Sequence, residues 1–187
     1  MIPGPKDKPR LFLITGIMAA GKSTVAQRLA ERLPRSVHLR GDVFRKMIVQ
    51  GRAEMTVTLS PEAARQLRLR YQLAADAARG YLEAGFSVVY QDVIVGESLL
   101  QVIQGLPDTS PDVPLYVVVL CPSAEVAAAR DAARTKTGYS GAFSAAMFDH
   151  VLRTETPRLG LWLDTTRLSV AATVNAILAG LETARVR

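Results

Sequence analysis

Short, continuously apolar runs recur along the chain, and between them lie segments whose apolar residues repeat at helical spacing. Runs of this kind are typical of strands in a parallel sheet, because helices cover both faces of such a sheet. Strands that alternate with helices indicate an α/β doubly wound fold. The pattern predicts five strands, over residues 11–15, 36–39, 86–90, 115–120 and 159–163.

The segments between these strands predict the helices that flank the sheet. The longest of them has clear boundaries: Ser60 can cap its start, Pro61 suits its first turn, and Gly85 can end it. The chain of 187 residues suits one domain, 1–187, with a small lid. The predicted helices cover residues 22–33, 43–50, 61–84, 98–104, 124–134, 143–154 and 168–182.

Composition limits which ligands the protein can be expected to bind and where in the cell it can be expected to work. A net charge of +6 suggests an anionic ligand, but the basic residues are dispersed and aromatic residues are few, which argues against a nucleic-acid platform. The single cysteine, Cys121, excludes an internal disulfide and a zinc cluster, and its apolar surroundings predict a buried thiol. No run is long enough to cross a membrane. The first 21 residues resemble a secretion signal, but we interpret their apolar stretch as a core strand and expect a cytoplasmic protein.

The first predicted strand leads into "GIMAAGKST", which matches the phosphate-loop pattern G-x-x-x-x-G-K-[ST]. Its glycines allow backbone N–H groups to surround a phosphate, and Lys22 adds a positive charge for the β- and γ-phosphates. The helix that follows directs its positive dipole end at the same group. Ser23 is the expected Mg²⁺ ligand, so the sequence predicts a P-loop NTPase fold that binds ATP and Mg²⁺. The alternative is a glycine-rich turn with an incidental lysine. The predicted nucleotide contacts are Gly16, Ile17, Met18, Ala19, Ala20, Gly21, Lys22, Ser23 and Thr24.

Among P-loop proteins, the chain lacks the Asn-Lys-x-Asp that a GTPase uses to recognise guanine, and a AAA-type motor would need more chain for its helical lid domain. A small-molecule or nucleotide kinase remains. A lid over residues of about 130–142 fits that class, because Arg130 and Arg134 are four residues apart and share a helix face. Positioned arginines stabilise the charge of a phosphoryl group in transfer. The alternative for both residues is a solvated basic face.

With these motifs, the chain resembles the chloramphenicol phosphotransferase-like family of P-loop kinases, and more distantly shikimate and gluconate kinases. The resemblance covers nearly the whole chain and includes the phosphate loop, "GDVF", "QDVIVG", "CPSAEVAAARDAAR" and "LDTT". It implies ATP-dependent phosphorylation of a hydroxyl group, often on an antibiotic. Ile17 and Met18 make the loop bulkier than the family pattern, and Thr137 stands where a third lid arginine is expected. Lys136, Arg153 and Arg158 are candidates to replace that arginine.

The acceptor side of the predicted site lies at the carboxyl edge of the sheet. Asp42 follows the second strand, and the resemblance implies that it activates the acceptor hydroxyl; alternatively it caps the next helix. Asp92 ends the third strand and is predicted to serve Mg²⁺ through water or to bind the acceptor, with a plain loop carboxylate as the alternative. Apolar residues beside the two aspartates suit a partly apolar alcohol. They are Val43, Phe44, Met47, Ile94 and Val95.

Three other groups of residues bear on the site: a segment after the fifth strand, the two histidines and the basic residues near Asp42. "LWLDTTRLS" resembles the segment near the adenine ring, although Asp164 and Thr165 also suit the N-cap of the last helix. His38 and His150 have no partner nucleophile or metal spacing, and we interpret both as structural. The basic residues near Asp42 keep open an anionic acceptor such as a sugar acid, cyclitol or nucleoside. They are Arg40, Arg45, Lys46 and Arg52.

The sequence therefore predicts a monomeric or weakly dimeric kinase that uses ATP and Mg²⁺ to phosphorylate a hydroxyl of a small molecule. Catalysis is assigned to Lys22, Asp42, Arg130 and Arg134. A nucleotide-binding regulator or a polynucleotide 5′-hydroxyl kinase is the remaining hypothesis, and the low aromatic content of 6% argues against it.

Overall fold

A computed structural model shows a five-stranded sheet in which all strands are parallel and helices flank the sheet. It describes residues 8–56, 58–107, 113–133 and 144–187. This architecture confirms the predicted α/β fold. The strands are β1 (Leu11–Gly16), β2 (Ser36–Arg40), β3 (Ser87–Gln91), β4 (Leu115–Leu120) and β5 (Leu161–Leu163), and their order in the sheet is β2-β3-β1-β4-β5.

The register of the strands brings all carboxyl ends to one edge. Gly16 at the end of β1 pairs with Leu120 at the end of β4, and Arg40 at the end of β2 pairs with Gln91 at the end of β3. The loops after these strands therefore meet at this edge, which is where ligands bind in open parallel sheets. The central strand β1 is buried along its whole length, whereas the edge strand β2 is only partly buried.

Helices cover the sheet around one hydrophobic cluster. Helix α1 packs on β3 and against α7, and α3 packs on the same strand and against α4. The helices are α1 (Lys22–Ala30), α2 (Asp42–Lys46), α3 (Pro61–Glu83), α4 (Ser98–Gly105), α5 (Ala124–Ala132), α6 (Ala145–Thr154), α7 (Val170–Ala179) and α8 (Leu181–Ala184). Within the described residues, none of these helices is long and apolar enough to cross a membrane.

Serine caps start most of the long helices. The hydroxyl groups of Ser60, Ser123, Ser144 and Ser169 accept hydrogen bonds from the backbone N–H three residues further on. Such a bond satisfies one of the N–H groups that a helix start leaves without a partner. Helix α1 differs, because its N-cap is Gly21 and no side chain caps it.

The structure departs from several of the predicted boundaries, and α1, for example, ends at Ala30 instead of residue 33. Helix α2 ends at Lys46 instead of residue 50, and the last predicted helix divides into α7 and α8 at Gly180. Strand β5 begins at Leu161, because Gly160 has a positive φ of 71° that breaks the extended backbone. The suggested N-cap at Asp164 or Thr165 is wrong, since Ser169 caps α7.

Candidate active site

The loop between β1 and α1 has the backbone of a phosphate-binding loop. Gly16 and Gly21 have positive φ angles of 145° and 93°, and Ala19 has a φ of 58°. A β-carbon at Gly16 would also collide with the carbonyl oxygen of Leu120, so the first glycine is needed for space as well as for conformation. Positive φ angles at neighbouring loop positions are typical of turns that gather backbone N–H groups around an anion.

Lys22 is folded into this loop. Its Nζ donates to the carbonyl oxygens of Gly16 at 3.0 Å and of Ile17 at 2.7 Å, and the side chain is buried. Lys22 is also the first residue of α1, whose uncapped N–H groups and positive dipole end face the loop. The loop thus combines a buried cation with open backbone donors, which is the chemistry that a polyphosphate requires.

Asp42 lies at the same edge of the sheet. It is the first residue of α2, and its side chain, 46% exposed, forms an ion pair with Lys46 one turn later. The N-cap position belongs to Gly41, and no side chain makes a cap bond there. The Asp42 carboxylate therefore does not cap the helix and is open to solvent on one side.

Asp92 lies one strand closer to the phosphate loop and is buried. Its Oδ1 accepts from Arg70 Nη2 at 2.7 Å and from the Val93 N–H at 2.8 Å, and its Oδ2 accepts from the Tyr90 hydroxyl at 3.3 Å. Burial raises the pKa of Asp92, while the positive charges of Arg70 and Lys22 act in the opposite direction. The structure therefore places this carboxylate within a network of protein donors.

Two tyrosines border the Asp92 network as neutral groups. Burial, with the negative charge of Asp92, raises the pKa of Tyr71 to about 12 and raises the pKa of Tyr90 further. The Tyr71 hydroxyl donates to the Val93 carbonyl oxygen at 3.5 Å. Both hydroxyl groups therefore keep their protons at neutral pH and act as donors.

A cleft of about 450 Å³ opens on the other side of the phosphate loop. It lies between the start of α1, the end of α5 and the segment before α7. Arg130 from α5 donates from Nη2 to the Thr165 carbonyl oxygen at 3.2 Å. Thr165 is buried, and its Oγ1 has no hydrogen-bond partner within the part of the chain that the structure describes. Arg134, the other predicted lid arginine, lies outside the described residues, as does most of the predicted lid.

The predicted apolar wall divides into two groups. Val43 and Met47 are exposed, at 38% and 65%, on α2 and just after it. Phe44 and Val95 are half-buried and pack against the hydrophobic core. Ile94 is fully buried, and its backbone exchanges two hydrogen bonds with the Thr15 hydroxyl. The apolar side chains available beside Asp42 are therefore those of α2.

Several cations that the sequence left open have partners inside the chain. Arg45 donates to the Ala53 carbonyl oxygen at 2.8 Å. Arg153 pairs with Asp149 and donates to the carbonyl oxygens of Cys121 and Pro122. Arg158 stacks on a tryptophan ring at 4.1 Å.

Other sequence-predicted features also have defined places. Cys121 is buried, as predicted, and its thiol donates to the Leu163 carbonyl oxygen at 3.2 Å. Ser23 is exposed on the first turn of α1. No cluster of three or more His, Cys, Asp or Glu residues that could hold a metal occurs in the described ranges.

Sequence reasoning missed Arg70. This residue is 12% exposed and binds Asp92, yet it stands in α3 among several other basic residues and carries no motif. Only the packing of α3 on the end of β3 distinguishes it from its neighbours.

Comparison with known proteins assigns a family and shows a shared fold. Residues 11–157 match the sequence model of a family described as AAA domain. The fold is similar to a sugar kinase from Janibacter sp. HTCC2649, with a TM-score of 0.64, 19% identity and coverage of 94% of this chain and 96% of that one. It is equally similar, at a TM-score of 0.64 and 16% identity, to an APS kinase from Mycobacterium tuberculosis, with 94% and 98% of the two chains covered. A tunicamycin resistance protein from Deinococcus radiodurans has the same TM-score of 0.64 at 16% identity, with 96% and 99% covered. No curated protein sequence matches the chain significantly.

Proposed function

The chain belongs to the AAA domain family, and we propose that it is an ATP-dependent kinase that phosphorylates a hydroxyl group of a small molecule. The observation that carries this proposal is the placement of Lys22 and Asp42 at one edge of the sheet with one strand, β3, between theirs. Neighbouring strands lie about 5 Å apart, so β1 and β2 are separated by roughly 10 Å. This gap is wide enough for a phosphoryl group and an acceptor hydroxyl in line.

The residues of the phosphate loop fit the phosphates of ATP. The inward N–H groups of the loop and the uncapped start of α1 would bind the β-phosphate oxygens, and Lys22 would exchange its carbonyl partners for the β- and γ-phosphates. Ser23 would bind Mg²⁺, which would neutralise charge on these phosphates. The cleft beside Arg130 and Thr165 would receive the base.

We propose that Asp42 orients the acceptor hydroxyl and accepts its proton. A carboxylate at this place has to be open to the acceptor and free from a capping role, and Asp42 meets both conditions. Asp42 also forms an ion pair with Lys46, and both side chains are about half exposed to solvent. Proton acceptance is needed late in a loose transition state, so orientation of the hydroxyl is the larger part of this role.

The exposed apolar side chains of Val43 and Met47 beside Asp42 favour a partly apolar alcohol as the acceptor. Lys46 is paired with Asp42, whereas Arg45 donates to a neutral backbone carbonyl and keeps its positive charge. Antibiotics that carry a hydroxyl belong to this class, and a sugar acid, cyclitol or nucleoside remains the alternative.

We further propose that the protein works in the cytoplasm, as a monomer or weak dimer, with one kinase domain whose lid covers residues of about 130–142. The lid arginines Arg130 and Arg134 would close over the phosphates during transfer.

The test is a screen of ADP release with Mg²⁺, ATP and a panel of neutral alcohols, hydroxylated antibiotics, sugar acids and nucleosides. We expect at least one hydroxyl compound to raise turnover at least tenfold over the rate with water alone, and the product to carry one phosphate by mass spectrometry. ATP consumption that no panel member raises, in a protein that binds ATP, would refute the kinase assignment.

A further inference from the structure

We infer that Gly41 and Asp92 form a positioning pair for Asp42, in which the buried Asp92 carboxylate fixes the Gly41 backbone and thereby sets the place of the Asp42 side chain. This inference rests on the proposed function, since it concerns how the proposed base is held. It also gives Asp92 a role other than direct contact with Mg²⁺ or with the acceptor.

The first step is the reason for a glycine at position 41. Gly41 has an ordinary right-handed backbone, with φ −63° and ψ −33°, which any residue can adopt. Space is what requires glycine: a β-carbon here would lie 2.7 Å from Asp92 Cγ and 3.1 Å from Tyr90 Cε2, and closer still to Asp92 Oδ2. The Asp92 carboxylate therefore occupies the volume that a side chain at position 41 would need.

The second step is that hydrogen bonds hold the Asp92 side chain in place beside position 41. Oδ1 is held by Arg70 Nη2 at 2.7 Å and by the Val93 N–H at 2.8 Å, and the Tyr90 hydroxyl holds Oδ2. The Asp92 side chain is 3% exposed and the Arg70 side chain 12% exposed, so water does not loosen the pair. Both carboxylate oxygens accept hydrogen bonds from protein donors, and this network supports a positioning role for Asp92.

The third step links the contact to Asp42. The Gly41 N–H donates to the Gln91 carbonyl oxygen at 3.1 Å, so Gly41 is held by β3 on one side and by the Asp92 carboxylate on another. Asp42 is the next residue and begins α2. A displacement at Gly41 is therefore passed directly to the Asp42 backbone, and a misplacement of about 1 Å in a reacting group costs up to 10²-fold in rate.

The test compares three variants. Gly41→Ala places a methyl group against Asp92. Arg70→Met combined with Asp92→Asn removes the ion pair without leaving one buried charge alone, so this double variant is expected to fold. Gly80→Ala is the matched control, because a β-carbon at Gly80 meets nothing within 4 Å. Each protein is labelled with ¹³C at aspartate carboxyl carbons for NMR and is assayed for ATP binding and phosphoryl transfer.

We expect Gly41→Ala and the double variant to change the ¹³C chemical shift of the Asp42 carboxyl carbon. Both should also lower kcat about 10- to 100-fold, with KM for ATP unchanged. Gly80→Ala should match the wild type in both readouts. An Asp42 signal that stays in place in both altered proteins, or an unchanged kcat, would overturn the inference. If no acceptor is phosphorylated by the wild type, the proposed function is refuted, while the NMR comparison still decides whether Asp92 positions Asp42.

Discussion

Arg130 donates a hydrogen bond to the Thr165 carbonyl oxygen at 3.2 Å, and this bond joins α5 to the segment before α7 along the cleft beside the phosphate loop. The bond links the end of α5 to the segment that, under the proposed function, would contact the base. A nucleotide bound in the cleft would contact both sides of this bond, so we expect nucleotide binding to affect the position of α5 relative to this segment.

Thr165→Val should weaken ATP binding by about 3- to 10-fold, the worth of one hydrogen bond. The buried Thr165 hydroxyl has no partner within the described residues, so we expect a polar atom of the bound nucleotide, or a water held with it, to bind there. Isothermal titration calorimetry with ATP measures the effect. Thr154→Val, a similar change at an exposed position of α6, serves as the control. Equal affinities in the two variants would remove Thr165 from the nucleotide contacts.

Lys22→Ala should reduce ATP turnover by orders of magnitude while the fold is retained. The lysine supplies the cation inside the phosphate loop, where its Nζ donates to the backbone carbonyl oxygens of Gly16 and Ile17 in the same loop. Turnover is measured by ADP release, and folding by circular dichroism. A folded variant with wild-type turnover would show that catalysis takes place elsewhere.

Asp42→Asn should lower phosphoryl transfer by about 10²- to 10⁴-fold, the usual contribution of a positioned general base. The loose transition state could reduce this loss, since little proton transfer is needed early. The melting temperature should change little because Asp42 makes no cap bond and is half-exposed, and ATP affinity should hold because the phosphate loop is untouched. Steady-state kinetics with an identified acceptor decide the matter. A near-wild-type kcat would exclude Asp42 as the base.

Arg134→Ala should lower kcat more than it weakens ADP binding. The expected role of this arginine is to stabilise the γ-phosphoryl group in transit, and ADP lacks that group. Comparing kcat with the Kd for ADP separates the two effects. Equal losses would make Arg134 a nucleotide clamp, and no loss would assign it to the solvated face.

The stability of the protein should fall as the pH drops from about 6.5 towards 4, in part because of His38. Burial, and then the charge of Arg40, lower the pKa of His38 to about 4, and its Nε2 is buried without a partner among the described residues. Since the folded pKa lies below the unfolded one, the unfolded chain binds this proton first, so the stabilising effect is complete near pH 7 and is lost on acidification.

The measurement is the melting temperature as a function of pH. His38 is partly exposed, so we discount its effect to about 1 kcal/mol, or about 2–4 °C in a chain of this size. Between pH 7 and pH 4, the melting temperature of His38→Gln should fall by about 2–4 °C less than that of the wild type. His150→Gln, at an exposed position on α6, should behave like the wild type. Parallel curves for all three proteins would contradict the assignment.

Local pattern was enough to predict the strands and the phosphate loop. Five apolar runs gave five strands with bounds within two residues of those observed, because buried parallel strands leave a continuous signal. The end of α2 was predicted too late. The apolar residues Ile48 and Val49 continue the apolar pattern of the helix beyond Lys46, but they lie outside any regular element.

The Arg70–Asp92 pair could not be found in this way. Its partners are 22 residues apart and belong to a helix and a strand end that meet only through tertiary packing. Gly41 gave no signal either, since its backbone angles are those of any helical residue and only the neighbouring carboxylate explains it. Neither the Arg70–Asp92 pair nor the lack of space at Gly41 can be predicted from one sequence.

The unequal burial of β1 and β2 bears on which part of the site tolerates substitution. The phosphate loop extends from a strand that is buried along its whole length, so substitutions there would disturb the packing of the sheet. Asp42 and the exposed apolar residues after it extend from a partly open border strand, where side chains can be exchanged at small energetic cost. Under the proposed function, substitutions at the β2 border would therefore alter the acceptor while leaving ATP binding intact.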